Sequence, residues 1–147
     1  MTEGRRVSDA NKAIMRRFYA EVVNAGNLDL IDELLTDDFV EHEEFPGIPP
    51  GRAGVKQFFA MFKGAFPDGT FTPEQVLADG DLVAARISVR GTHLGEFMGV
   101  AATGKPVDVQ AADIVSFADG RATAHWGVFD AMAMMQQLGA IPEPGHV

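Results

Sequence analysis

Between Val107 and Phe117 every second side chain reads Val107, Val109, Ala111, Asp113, Val115, Phe117. Strict alternation over this length marks a β-strand with one buried face. That face is apolar except for one carboxylate. A lone carboxylate removed from water costs several kcal/mol unless it is paired or protonated. The segment therefore demands both a sheet to cover it and a chemical partner for Asp113. A chain that tolerates such a group often uses it for proton transfer.

The flanking segments tell what the strand packs with. Phe71 to Ala78, Leu82 to Thr92, Lys105 to Phe117 and Thr123 to Phe129 read as strands, with Asp79-Gly80 and Asp119-Gly120 as hairpin turns. The first half is helical. Ser8 or Asp9 can cap a first helix whose stripe is Ile14, Met15, Phe18, Tyr19 and Val22, ended by Gly26. A second short helix is expected from about Leu28 to Leu35, a short strand over Phe39 to Glu43, and a third helix from about Ala53 to Phe66. A last helix, Ala131 to Leu138, precedes a Pro/Gly tail. Helices first and antiparallel strands after predict an α+β fold, with a long bent sheet wrapped around helices and enclosing a pocket. With 147 residues the expectation is a single domain over 1–147, with residues 1–8 and 140–147 as flexible tails.

Composition narrows the chemistry. A net charge of −9 argues against nucleic acid and anionic membrane as partners. No apolar run spans a bilayer, and Arg5-Arg6 precede a polar stretch, so a cytoplasmic location is expected. Cysteine is absent, which removes thiol nucleophiles and cysteinyl metal sites. Ser8, Ser88 and Ser116 lie in no nucleophile-elbow pattern, and no phosphate loop or dinucleotide fingerprint is present. No cofactor and no metal are expected.

The turn at Asp119-Gly120 decides what faces Asp113. A two-residue loop pairs Asp113 with Trp126. A three-residue loop with Gly120 as a bulge pairs Phe117 with Arg121 and Asp113 with His125, and is the favoured register. His93 ends a second apolar alternation, Val83, Ala85, Ile87, Val89, Gly91, His93. Asp113, His125 and His93 are thus the candidate catalytic residues. His42 alternates with Val40 and Glu44 on the early strand, and the Glu41-His-Glu-Glu44 run reads as a solvated edge. Phe39, Phe58, Phe62, Phe97 and Phe129, with Phe18, are candidate walls of an apolar cavity, to which Tyr19 and His42 can add polar contacts. On the opposite face, Ala112, Ile114, Ala124, Trp126 and Val128 are apolar as well. A sheet apolar on both sides needs a second cover, so a homodimer through Ile114, Trp126 and Val128, or a tetramer built on it, is expected.

Several strings carry a resemblance: Gly91-Thr-His-Leu-Gly-Glu-Phe-Met-Gly99, Thr103-Gly-Lys105, Phe117-Ala-Asp-Gly-Arg121, His125-Trp126, Asp130 and Gln137-Leu-Gly139. Tyr19-Ala-Glu, Asn24-Ala-Gly-Asn27 and Pro67-Asp68 join them. Together, from about residue 10 to 142, the chain resembles the SnoaL-like polyketide cyclases. The resemblance implies the cone-shaped α+β barrel of the nuclear-transport-factor-two-like superfamily. It implies an aspartate on a pocket-lining strand as general acid/base of an intramolecular aldol ring closure on an apolar polycyclic ester. Asp113 matches that aspartate by strand and pattern, and His93 and His125 resemble its substrate-positioning histidines. One departure lies after Met98, where Gly-Val-Ala-Ala-Thr-Gly104 replaces the Pro-Pro of many relatives in a loop expected to edge the pocket.

Other readings remain open at this level. The same pocket suits a cofactor-independent hydroxylase, hydratase or isomerase of a steroid-like substrate, or a non-catalytic binding protein. His93, His125 and Asp113 are also the composition of a two-His-one-carboxylate metal site.

Overall fold

The computed structural model describes residues 2–142. Helix α1 (Glu3–Arg17) begins at Thr2, whose hydroxyl accepts from the Arg5 N–H. This start is earlier than Ser8 or Asp9, so residues 3–8 are helix where a flexible tail was expected. Glu3 in the first turn suits the positive end of the helix. Asp9, a candidate cap, instead pairs with Lys12 one turn on. His146 and the rest of 143–147 lie outside the described residues.

After Arg17 the helix widens into a π-helical turn, Phe18–Asn24, where the Ala25 N–H reaches the Ala20 carbonyl five residues back. Such wide turns are rare and often sit at functional sites; this one carries Tyr19. Asn24 closes it onto the sheet, its amide donating to the Phe71 carbonyl at 3.0 Å and accepting from the Phe71 N–H at 2.8 Å. The expected second helix is a 3-10 turn, Leu28–Leu30, leading into the four-residue α2 (Ile31–Leu34). Strand β1 (Leu35–Glu41) follows at once, earlier than the expected Phe39 start. Helix α3 (Gly51–Ala65) buries Val55, Phe62 and Ala65.

The remaining elements are β2 (Thr70–Asp79), β3 (Leu82–Thr92), β4 (Pro106–Ala118), β5 (Arg121–Phe129) and α4 (Ala131–Gln137). The five strands form one open, curved sheet in the order β1-β5-β4-β3-β2. The pairs β2–β3, β3–β4 and β4–β5 are antiparallel, and β1 joins parallel to β5. Helices α1 and α3 cover the concave face. Phe62, Phe66, Ile31, Ile87, Val22 and Val83 are fully buried between them, each contributing about 1.5–3 kcal/mol by leaving water.

The β4–β5 register differs from both sequence expectations. Asp119 and Gly120 have φ of 50° and 78°, and Ala118 pairs with Arg121, so the loop has two residues. Positive φ at both positions is the primed turn that matches strand twist. A bulge between Ser116 and Phe117 then sets Ser116 opposite Ala124 and leaves Thr123 as the extra residue. Ser116 and Thr123 clasp it through their hydroxyls at 2.7 Å. The slip places Val115 opposite His125 and Asp113 opposite Gly127. Because side chains alternate, this one-residue insertion turns His125 to the Asp113 face and Trp126 outward.

On the outer face Val40, Leu77, Leu82, Ile114, Trp126 and Val128 are exposed. Arg86 belongs to this face too, bonded to Gln75 and Gln110, and so does Arg90, paired with Asp108. Among the described residues no helix is long and apolar enough to cross a membrane.

Candidate active site

A cavity open at one side lies between α1, α3 and the concave face of the sheet. Its walls are apolar: Ile14, Met15 and Phe18 from the first helical segment, Phe39 from β1, Phe45, and Val55, Phe58 and Phe59 from α3. Polar groups gather at one end, where Tyr19, Glu41, Glu43, Asp113 and His125 line it. An apolar slot with a few convergent polar groups is the usual form of a small-molecule site.

Asp113 is the centre of that end. The Tyr19 hydroxyl donates to its Oδ2 at 2.6 Å, and His125 Nε2 lies 2.7 Å from its Oδ1. The other ring nitrogen of His125, Nδ1, meets Glu41 Oε2 at 2.5 Å. Carboxylates accept and do not donate, so an imidazole held between two of them carries protons on both nitrogens. Burial opposes that charge, but the hydrogen bonds to Asp113 and Glu41 and their negative charges outweigh it and push His125 up to about 10. Burial, then the Asp113 charge and the hydrogen bond to it, pushes the Tyr19 phenol far above its ordinary value. The sequence expectation that Asp113 needs a partner is met by two donors.

Asp113 and His125 touch as diagonal neighbours, not as the directly opposed pair expected. The position opposite Asp113 is Gly127, and its lack of a side chain is what admits the neighbours. A Cβ there would collide with Glu43 Oε1 and stand 2.7 Å from the His125 ring.

Of the residues singled out in the sequence for the site, Asp113, His125, Tyr19, Phe18, Phe39 and Phe58 line the cavity. His93 does not. It is wholly buried beside Phe66, and its Nδ1 accepts from the Thr103 N–H at 3.2 Å and meets the Thr103 hydroxyl at 3.0 Å. It anchors the 94–104 loop, which contributes no cavity residue, so the expectation that this loop edges the pocket is also corrected. Phe62 and Phe97 are core, packed on each other and on Phe66. Phe129 stands behind the wall, 6.0 Å from the Phe45 ring centre. His42 points outward and stacks on Trp126, ring centres 4.7 Å apart.

The missed residues are Glu41 and Glu43, read as a solvated edge. The signal for them was the alternation Phe39, Glu41, Glu43, Phe45, which shares one parity with cavity walls at both ends. Burial pushes Glu43 up to about 7; the charge of His125 opposes this, and those of Asp113 and Glu41 add to it. With His93 buried elsewhere, the two-His-one-carboxylate metal reading loses a ligand. A Glu43 oxygen, an Asp113 oxygen and a His125 nitrogen do lie within 4.8 Å of one another. Both ring nitrogens of His125, however, are committed to carboxylates, which makes the group a proton-bonded network.

This fold and its acid-ended cavity define an α+β protein of the cone-shaped, nuclear-transport-factor-two-like class. The structure superposes on TsrD from Streptomyces laurentii with a TM-score of 0.83 at 24% identity, covering 90% of this chain and 97% of that one. It is similar to IdmH, a candidate polyketide cyclase from Streptomyces antibioticus, at 35% identity and TM-score 0.76, over 88% of this chain and 98% of the other. AclR, a candidate hydroxylase from Streptomyces galilaeus, matches at 30% identity and TM-score 0.81, over 92% and 85% of the two chains. No curated protein matches the chain. The sequence model of the SnoaL-like polyketide cyclases matches residues 13–138, and the chain belongs to that family.

Proposed function

We propose that this chain is an acid/base enzyme of the polyketide cyclase type. It closes a ring by intramolecular aldol condensation of an aromatic polyketide ester, without a cofactor. The observation that carries the reading is Asp113, held by Tyr19 and His125 at the polar end of an otherwise apolar cavity. A methylene between two carbonyls is acidic, and its enolate delocalises over neighbouring rings. Asp113 takes the α-proton. The enolate carbon attacks a ketone carbon, a C–C bond forms, and the carbonyl pair becomes an alkoxide. Protonated Asp113 is one source of the proton that the alkoxide then needs. The charged His125 lies where negative charge develops and lowers its cost. The aromatic walls hold the chain ends together, which supplies orientation.

The test is a panel of anthraquinone-type esters with wild type and Asp113→Asn. Conversion by wild type and its loss in the variant, with binding retained, supports the reading. A variant that turns over normally removes Asp113 as the base. Esters that wild type binds and never converts favour a binding protein. The resemblance to AclR supports a second reading, hydroxylation in the same cavity. Oxygen from labelled O₂ in the product would select it over ring closure.

We also propose that two copies pair through the sheet's outer face. Ile114, Trp126 and Val128 are 44%, 42% and 70% exposed there, beside Val40 and Leu82, an apolar area that a lone chain leaves to water.

A further inference from the structure

We propose that Glu43 is a second proton carrier of the cavity, the acid that protonates the alkoxide formed at ring closure. The proposal rests on the cyclase reading above and assigns a residue to its last step. Both oxygens of Asp113 are engaged, one by Tyr19 and one by His125, and Glu41 is engaged by the other face of His125. Glu43 differs from them. Its carboxyl lines the cavity and has no hydrogen-bond partner among the described residues; only its backbone N–H is tied, to Glu41 Oε2 at 3.2 Å.

The spacing suits a shared substrate. Glu43, Asp113 and His125 present donor and acceptor atoms within 4.8 Å of one another. Atoms this close can share one substrate oxygen, which would stand about 2.8 Å from each of two of them. The space is kept open by Gly127, since any Cβ there would collide with Glu43 Oε1. The site thus gives up a side chain opposite Asp113 and seats the Glu43 carboxyl in its place.

The groups facing Glu43 are His125 on β5, Asp113 on β4 and Glu41 on β1, with Tyr19 across the cavity. One positive charge stands among two carboxylates already, so a third buried negative charge is disfavoured. Burial, opposed by the His125 charge and aided by those of Asp113 and Glu41, holds Glu43 at about 7, and near neutral pH a large share of it keeps its proton. Asp113, which accepts two hydrogen bonds, is placed as the acceptor. The proton inventory closes. The α-proton goes to Asp113, the Glu43 proton goes to the new alkoxide, and Asp113 returns its proton to Glu43 through the product hydroxyl or a water. Two carboxyls of opposite protonation in one site is the arrangement that lets an acid and a base work at a single pH.

The experiment uses an anthraquinone-type β-keto ester with wild type, Glu43→Gln and Asp113→Asn. Two rates are read: ring closure, and exchange of the α-proton with D₂O. Wild type is expected to close the ring more slowly as pH rises through about 7. Glu43→Gln is expected to lose that dependence, to close the ring 10- to 100-fold more slowly, and to exchange the α-proton within threefold of wild type. Asp113→Asn is expected to lose both rates. Closure by Glu43→Gln at wild-type rate, or loss of exchange along with closure, overturns the role of Glu43. Retained exchange in Asp113→Asn overturns the cyclase reading instead. A substrate-free measurement stands beside these: carbon-13 carboxyl NMR of the wild-type protein. A glutamate titrating near 7 supports the proposal, and no glutamate above its ordinary range overturns it.

Discussion

Replacing Asp113 by Asn tests the site at its centre, because Asn keeps the shape and changes one hydrogen-bonding atom. Asp113 accepts from Tyr19 at 2.6 Å and from His125 at 2.7 Å. Asn offers one acceptor and one NH₂, so one of the two donors meets a donor. The Tyr19 hydroxyl can turn to accept, which leaves its own O–H without a partner in a buried place. An unsatisfied buried donor costs about 1–3 kcal/mol. For a chain of this size each kcal/mol lowers Tm by roughly 2–4 °C, so a loss of about 2–12 °C is expected, with the fold intact. The catalytic cost is larger. Loss of a positioned base slows turnover about 10²–10⁴-fold, or about 2.7–5.5 kcal/mol of barrier.

The same variant has a readout that needs no substrate. His125, at about 10, is held protonated by two carboxylates. In Asp113→Asn it keeps Glu41 alone, so its pKa falls back toward its ordinary value. Ring-proton NMR titration reads this directly. The sign for stability follows. A histidine whose folded value is raised adds stability that is fully present below its unfolded value near 6.5 and is lost as pH rises through about 10. Thermal melts of wild type should therefore decline between those values, and the variant should decline less. Turnover within threefold of wild type, or a His125 titration that does not move, refutes the argument.

Other outcomes are expected. Gly127→Ala places a methyl against the Glu43 carboxylate and the His125 ring; because Glu43 is a flexible side chain that can swing away, kcat/KM should fall about tenfold or more while Tm shifts by only a few degrees. His93→Ala should cost about 2–4 kcal/mol in denaturant melts, from a vacated core and the loss of the Thr103 anchor. The folded fraction should still turn over within threefold of wild type; a kcat lost without a stability loss would return His93 to the chemistry. Val128→Glu, on the exposed outer face, should leave a stable monomer by light scattering where wild type is dimeric; a monomeric wild type sinks the pairing.

Much of the fold was legible in period alone. Strand β3 appears over Leu82–Thr92 as the alternation Val83 to Gly91 requires, and α3 and α4 stand within two residues of their apolar stripes. Asp113 was legible as well, since a carboxylate in an apolar row must find partners wherever the chain goes. What was not legible depends on single-residue slips. Glu41 and Glu43 were read with His42 and Glu44 as one solvated edge, because a run of four polar residues does not show which parity faces inward, and a one-residue slip exchanges the two faces. Phe62 and Phe97 look like any wall phenylalanine, but core and cavity are both apolar, and only the packing of α3 on the sheet separates them.

By itself the sequence determined that helices precede a curved sheet, that one strand buries an aspartate, and that a histidine lies a hairpin away. Those conclusions rest on local period and turn chemistry, which neighbouring residues carry. The tertiary structure decided which residue meets Asp113. A two-residue turn alone would have set Trp126 against it, and the Thr123 bulge, clasped by Ser116, turns His125 in. It also decided that β1 runs parallel to β5, which brings Glu41 to His125 and Glu43 to the gap that Gly127 leaves. Contacts of that kind join segments about eighty residues apart, and no local pattern encodes the register in which they meet.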